Sequence, residues 1–93
     1  MNEPDAIWQV LIHRWAEKAL QRLDKPLRRR IGEAINQLVV NPRPAGCKKL
    51  AGYDNLYRLR VGDWRISYAI EEDKLIVLVV EIAPRGRAYR RLT

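Results

Sequence analysis

Cysteine and histidine are almost absent from this 93-residue chain, which has one of each, Cys47 and His13. A single cysteine excludes an internal disulfide framework and any cysteine-based zinc finger, and it fits a reducing compartment. A single histidine excludes a pair of histidines acting as acid and base, and also a histidine-rich metal site. We therefore expect no metal and no cofactor, and any chemistry has to come from other side chains.

Long apolar runs are also missing. The longest, Leu75 to Val80, has the length of a buried strand and is far too short to cross a bilayer. The acidic start, residues 1–5, has neither the basic segment nor the apolar run of a signal peptide. The sequence predicts a soluble cytoplasmic protein without a membrane partner.

Acidic residues are scarce relative to basic ones: 11 Asp and Glu stand against 18 Lys and Arg, a formal net charge of +7. A field of this sign on a short chain attracts polyanions such as nucleic acid. Apolar residues make up 47% of the sequence, which indicates a folded protein. The length suits one domain spanning residues 1–93.

Hydrophobic periodicity predicts one strand and then two helices in the first half of the chain. Residues 7–12 are β-branched and aromatic enough for a short strand, and from Arg14 the apolar spacing becomes helical. Asp24 is suited to cap a second helix and Pro26 to its first turn, while the prolines of 41–44 end it. Helices joined this closely should form an antiparallel hairpin. The apolar stripe of the second helix consists of Leu27, Ile31, Ala34, Ile35 and Leu38.

The second half of the chain has the pattern of a three-stranded antiparallel meander. Its predicted strands are 56–61, 64–70 and 75–83, and the loop 45–55 precedes them. The glycine-first pair 62–63 is suited to a two-residue type II′ turn. We therefore predict an α+β domain, with a short first strand and an antiparallel helical hairpin packed on a small antiparallel sheet that ends in the meander.

Arginines concentrate on one face of the first hairpin of the meander. If residues 62–63 form the turn, Arg60 faces Arg65. Arg58 then faces Ser67, and the alternate apolar side chains point toward the helices. Like charges opposite each other destabilise a ladder, so the pattern indicates an anion site, for which phosphate is the natural ligand. A basic sheet face that is merely solvated is the alternative, and the residues alone leave both open.

The third strand of the meander brings two more charged residues to this region. We predict that the even positions of 76–82 share the core face, which puts Glu81 and Arg85 on the face of the arginines. Glu81 then lies near Arg65. It either forms an ion pair that orients this arginine or transfers a proton, and the ion pair is the simpler interpretation.

Several stretches of the sequence together form a known pattern. They are Glu17-Lys18-Ala19-Leu20, Leu23-Asp24-Lys25, Asn41-Pro42-Arg43-Pro44, Cys47-Lys48-Lys49-Leu50 with Gly52, Tyr57-Arg58-Leu59-Arg60-Val61-Gly62-Asp63-Trp64-Arg65-Ile66-Ser67-Tyr68, and Pro84-Arg85-Gly86-Arg87-Ala88-Tyr89-Arg90. In this order they resemble the RelE/ParE superfamily of bacterial toxins from type II toxin–antitoxin pairs. The block 57–68 is the most specific of them. The resemblance implies the RelE-like fold, a helical hairpin on a small antiparallel sheet.

The resemblance also implies an activity: a toxin that cuts messenger RNA in the ribosomal A site and is neutralised by a cognate antitoxin. The RNA 2′-hydroxyl would attack its adjacent phosphate, while the protein orients that phosphate, neutralises its charge and helps to move protons. Members of the ParE type share the fold, lack the nuclease residues and act on DNA gyrase, so a non-nucleolytic toxin is the alternative. By position, the implied catalytic residues are Arg58, Arg60, Arg65, Arg85 and Tyr89.

Further basic residues are candidates for contacts with RNA. Lys48 and Lys49 in the loop, and Arg28 and Arg29 in the second helix, could bind phosphates of mRNA or ribosomal RNA. The run 28–30 is more typical of a solvated helix face than of a catalytic element, and we prefer that interpretation. The net positive charge favours an acidic, amphipathic antitoxin segment as the protein partner.

The sequence departs from the RelE pattern at two places. Arginines at 58 and 60 stand where RelE has Lys-x-Lys, and an arginine stays protonated whereas a lysine can reach the acid–base range. Residues 83–85 (Ala-Pro-Arg) stand where many relatives have Gly-His-Arg, so that histidine is missing. The general base is therefore open, with Tyr89 and Glu81 as the candidates.

Overall fold

The computed structural model describes residues 7–86, which form two α-helices, one turn of 3-10 helix and five strands. The helices are α1 (Arg14–Gln21) and α2 (Lys25–Gln37). The strands are β1 (Gln9–Ile12), β2 (Lys48–Lys49), β3 (Leu56–Val61), β4 (Trp64–Glu71) and β5 (Ile76–Pro84), with the 3-10 turn Glu72–Lys74 between the last two. The predicted α+β class and helical pair are confirmed.

The sheet is mixed, with the strand order β1-β5-β4-β3-β2. β2 to β5 pair antiparallel, but β1 lies parallel to β5. The prediction of a purely antiparallel sheet is therefore wrong at the β1 edge. Parallel strands need a long connection, and here residues 13–75 connect β1 to β5. The prediction of a plain loop over 45–55 is also wrong, because Lys48 and Lys49 pair with β3.

Local signals at the helix starts explain where both helices begin. His13 caps α1, since its Nδ1 accepts a hydrogen bond from the Trp15 backbone N–H at 3.1 Å. The sequence did not predict this cap, because histidine is not among the preferred capping residues. Asp24 occupies the N-cap position of α2 and Pro26 its first turn, as predicted, although the Asp24 side chain makes no capping hydrogen bond. No helix within residues 7–86 is both long and apolar enough to cross a membrane.

The two helices pack on one face of the sheet, where the main core lies. Its buried members are Trp8, Ala16, Ile31, Ile35, Leu38, Ile66, Tyr68, Ile70, Val77, Val79 and Ile82. Full burial of one such large apolar side chain contributes roughly 1.5–3 kcal/mol, so the α2 stripe holds the helix on the sheet. The opposite face has a smaller cluster of Leu50, Leu56 and Ala69, against which Leu78 packs. The rest of that face is left for polar side chains.

A β-bulge changes which residues of β5 face the core. Ser67 pairs with Glu81 but the next residue, Tyr68, pairs with Val79, so Val80 is an extra residue in the ladder. Val77 and Val79 therefore lie in the main core before the bulge, and Ile82 lies there after it. The prediction that all even positions of 76–82 face the core holds for Ile82 alone, because strict alternation ends at the bulge.

Candidate functional site

Four polar side chains form one row across the sheet, on the face away from the helices. Lys48 on β2 pairs with Arg58, Arg58 with Ser67, and Ser67 with Glu81 on β5. Residues that pair directly across a ladder point to the same side of the sheet. Two cations therefore stand at one end of the row and a carboxylate at the other.

The neighbouring row places two arginines opposite each other. Arg60 on β3 pairs with Arg65 on β4, which in turn pairs with Ala83 on β5. The turn that produces this register has a φ of 60° at Gly62 and no positive φ at the next residue, as a type II′ turn requires. The predicted register of the hairpin is confirmed. The two rows together, Lys48, Arg58, Arg60, Arg65, Ser67 and Glu81, are called the arginine face below.

A small cavity of about 180 Å³ opens on the arginine face. It is lined by Gly46, which lies in the loop before β2, and by Lys48, Arg58, Arg60 and Arg65. Every side chain in this lining carries a positive charge, and no acidic side chain lines the cavity. Guanidinium groups present several N–H donors in a planar fork that matches the oxygens of a phosphate. The cavity is thus suited to an anion.

Two hydrogen-bonding atoms of the arginine face are buried and have no partner among the described residues: Arg65 Nε and Ser67 Oγ. Ser67 has no exposed surface at all. A buried donor without an acceptor costs about 1–3 kcal/mol, so such groups are uncommon in a folded protein unless a ligand or water satisfies them. Arg60, in contrast, donates from Nε to the Gly62 carbonyl at 2.9 Å, which fixes its side chain beside the turn.

Glu81 reaches the arginine face because of the bulge. With the bulge at Val80, Glu81 pairs with Ser67; in an unbroken ladder it would pair with Ile66, whose side chain lies in the main core. Bulges commonly re-aim a side chain in this way. Glu81 is 4% exposed, so its carboxylate lies within the protein, diagonal to Arg65 on the same face.

Two other predicted site residues, Arg85 and Lys49, do not line the small cavity. Arg85 follows β5 and is exposed, and its backbone N–H donates to the Asp63 carbonyl at 2.8 Å, which holds it beside the hairpin turn. Lys49 pairs with Tyr57 and so points to the opposite side of the sheet from Lys48. Tyr89 lies outside the described residues.

The arginines of α2 belong to the helix layer and do not line the small cavity. Arg28 and Arg29 are exposed on α2. Arg30 differs from them, since its guanidinium lies at the hairpin tip, with Nη2 3.5 Å from the position of a Cβ on Gly62. The basic surface therefore continues around the tip of the hairpin toward α2.

A larger cavity of about 710 Å³ lies elsewhere, between the α1–α2 junction and the end of β5. Its charged lining residues are Arg22, Asp24 and Glu81, and the rest of the lining is apolar. Size alone would favour this groove as the site. We assign the site to the smaller cavity, because only there do several like charges converge without an acidic neighbour in the lining.

Comparisons with known proteins show the family of this chain. Residues 10–89 match the family of the ParE toxin of the type II toxin–antitoxin system parDE. The chain belongs to the RelE/ParE toxin family. Among its relatives, toxin RelE of Mycobacterium tuberculosis is 31% identical over 87 residues, covering 92% of this chain and 90% of that protein. Toxin RelE3 of Methanocaldococcus jannaschii is 33% identical over 72 residues, 73% of this chain and 82% of that one.

Solved structures of the RelE/ParE family share the fold. The archaeal RelE–RelB complex from Pyrococcus horikoshii superposes with a TM-score of 0.78 at 36% identity, over 88% of this chain and 99% of that one. The RelBE toxin–antitoxin complex of Escherichia coli has a TM-score of 0.74 at 20% identity, over 86% and 99% of the two chains. Two helices on a small mixed sheet are thus the shared architecture.

Proposed function

We propose that this toxin is an mRNA interferase, an endoribonuclease that cleaves mRNA on the ribosome and is neutralised by a cognate antitoxin. The observation that supports it most is the cavity in which Lys48, Arg58, Arg60 and Arg65 converge. Relatives that bear the RelE name support the same conclusion. The substrate group is a phosphodiester of RNA, which the four cations bind through its oxygens.

The nucleophile in this reaction is the RNA 2′-hydroxyl. Its oxygen forms a bond to the adjacent phosphorus, the bond to the 5′-oxygen breaks, and the products are a 2′,3′-cyclic phosphate and a 5′-hydroxyl. Arg58, Arg60 and Arg65 hold the phosphate in line and neutralise the charge that develops on its oxygens. Arg85, held beside the turn by its backbone bond to Asp63, adds a further cation at the same end of the sheet.

Two protons have to move during cleavage: one leaves the 2′-hydroxyl and one reaches the 5′-oxygen. The arginines stay protonated and do not exchange them. Tyr89 and Glu81 remain the candidates. We assign Glu81 the orienting role, because it lies within the protein, diagonal to Arg65. Glu81→Gln should then slow cleavage without moving its pH profile, whereas loss of the acidic limb of the profile would make Glu81 the base.

The direct test is RNA cleavage mapping on translating ribosomes. Wild-type protein should produce cuts with cyclic-phosphate ends, and Arg65→Ala should remove them. Arg14→Ala, which removes an exposed arginine from the start of α1, is the matched control and should cleave normally. Intact mRNA with the wild-type protein would contradict the proposal.

A gyrase-poisoning toxin is the second candidate function, and the ParE name of the matching family favours it. Such a toxin would bind its target protein and would not need the convergent arginines for catalysis. Stabilised double-strand breaks in DNA with gyrase present, together with uncut mRNA, would establish this alternative. The two assays can be run with the same protein preparation.

The antitoxin is supported by the structural neighbours, which include RelE–RelB complexes. On this chain, large apolar side chains remain exposed on several elements, among them Leu11, Trp15 and Val40. An acidic, amphipathic segment could cover them while its charge complements the basic protein. Expression of the toxin alone should arrest growth, and co-expression with its cognate antitoxin should restore it.

A further inference from the structure

The loop between α2 and β2 is held to the sheet by one arginine. Arg43 donates from Nη2 to Glu72 Oε1 at 2.5 Å and to the Tyr57 hydroxyl at 3.2 Å, and its Nε lies 3.3 Å from the same hydroxyl. These bonds, first to Tyr57 and then to Glu72, raise the pKa of Arg43 above its usual value. Arg43, Tyr57 and Glu72, called the Arg43 cluster below, join the loop, β3 and the β4–β5 connection.

A second bond anchors the same loop. The Tyr68 hydroxyl, buried in the core, donates to the Pro42 carbonyl at 2.8 Å. Tyr68 also stacks against Tyr57, with ring centroids 6.1 Å apart. Residues 42 and 43 are therefore tied to two adjacent strands, and the chain continues from there through Gly46 into β2.

β2 needs such an anchor for an electrostatic reason. It is two residues long, lies at the edge of the sheet and places Lys48 directly opposite Arg58. Like charges in this position repel and weaken the pairing. Lys48 and Gly46 nevertheless line the cavity of the arginine face. The loop has to be held by contacts outside β2 itself for this wall of the cavity to persist.

We propose that the Arg43 cluster is a positioning device that holds Gly46 and Lys48 against the arginine face, so that the anion site is complete before RNA binds. Arg43 and Glu72 act through Lys48 and do not touch the phosphate. The inference rests on the proposed function in one respect, the identity of the bound group as an RNA phosphate.

General electrostatics and the proposed positioning role predict opposite effects of Glu72→Gln on RNA binding, which makes the proposal testable. Glu72→Gln removes a negative charge from a basic protein, so general electrostatics alone would strengthen RNA binding. The proposed role of Glu72 predicts weaker binding, because Arg43 loses its ionic partner and the loop opens. Asp73→Asn is the matched control: it removes the same charge one residue along the same exposed turn.

The first measurement follows the loop without RNA. Cys47 is the single cysteine and stands between Gly46 and Lys48, so its labelling rate by a thiol reagent in the folded protein reports on loop opening. Glu72→Gln and Arg43→Ala should label about two- to fivefold faster than wild type, the range expected for loss of an exposed ion pair. Asp73→Asn should label at the wild-type rate. Equal rates in all variants would overturn the proposal.

The second measurement is the affinity for a 2′-O-methyl RNA oligonucleotide, which has no 2′-hydroxyl and is not cut. Glu72→Gln should bind about two- to fivefold more weakly than wild type and Asp73→Asn should not. In a Lys48→Ala background the Glu72→Gln loss should shrink, a coupling that a general loss of stability would not produce. Thermal melting of each variant establishes that it is folded.

The outcomes separate the two proposals. If wild type binds, Arg65→Ala does not, and Glu72→Gln binds as tightly as wild type or more tightly, the positioning role is wrong and the proposed function stands. If wild-type protein does not bind the oligonucleotide at all, the RNA site is wrong, and the Cys47 labelling rates, which need no RNA, decide the positioning role on their own.

Discussion

Arg60 and Arg65 face each other directly across the β3–β4 ladder, two residues from a tight turn. No acidic residue is paired with either in the ladder, since the other neighbour of Arg65 is Ala83. The fold thus accepts a repulsive pair at a position where a sheet gains from opposite charges or apolar contacts. Repulsion of this kind is expected at a binding site, where the ligand supplies the missing charge.

In a Glu81→Gln background, which removes the buried carboxylate diagonal to Arg65, Arg65→Thr should make the free protein more stable, and it should abolish binding of RNA. The substitution removes the repulsion and the buried Nε that has no partner in the described part of the chain. We expect the free energy of unfolding to rise by about 0.2–1 kcal/mol, measured by urea denaturation. Lys49→Thr removes a cation that is paired with Tyr57, and it should not stabilise the protein. If Arg65→Thr lowers the stability of the Glu81→Gln protein, the arginine pair does not repel.

Glycine substitutions at two positions should have opposite effects. Gly62 has a φ of 60°, and a Cβ there would meet Arg30 Nη2 at an ordinary contact distance of 3.5 Å, so the cost of Gly62→Ala is backbone strain alone. We expect a loss of about 1–2 kcal/mol. Gly32 lies inside α2 with nothing within 4 Å of its Cβ position, and Gly32→Ala should stabilise the protein by about 0.5–1 kcal/mol. Thermal unfolding should show Gly62→Ala to be less stable than wild type and Gly32→Ala to be more stable.

Tyr68→Phe should destabilise the protein and change its behaviour at alkaline pH. The variant leaves the Pro42 carbonyl without its donor, a loss of about 1–2 kcal/mol at neutral pH. Burial, followed by the interaction with Cys47, raises the pKa of Tyr68 above the ordinary value of 10.0. A raised pKa in the folded state contributes stability that is complete below the unfolded value and is lost as the pH rises. Above pH 10.0 the wild type should therefore lose stability more steeply than Tyr68→Phe. Parallel curves would contradict this linkage.

Ser67→Ala should be neutral or stabilising in the free protein. Its Oγ is fully buried and has no hydrogen-bond partner among residues 7–86, so the alanine removes an unsatisfied group at the expense of a very small void. Urea denaturation measures the change, with Ser67→Val as a larger apolar control. A loss of more than about 1 kcal/mol would mean that the hydroxyl is satisfied in solution, for example by water.

The hairpin of the arginine face was predictable because its signals are local. Gly62 starts the turn, the turn fixes the register, and alternation then puts Arg58 and Arg60 on one face. The apolar stripe of α2 was predictable for the same reason, because helical spacing is visible in a single segment. The bulge at Val80 and the strand Lys48–Lys49 were not predictable, because each depends on the neighbouring strand with which it pairs.

The sequence by itself determined the two helices, the four strands other than β2, the hairpin register and the concentration of positive charge, because each follows from neighbouring residues along the chain. Only the tertiary structure decided that β1 lies parallel to β5, that the bulge turns Glu81 toward the arginines, and that Arg43 ties its loop to Glu72. The two partners of that ion pair are 29 residues apart. Contacts of this kind arise from packing of the helices and strands as a whole, and no local pattern in the chain specifies them.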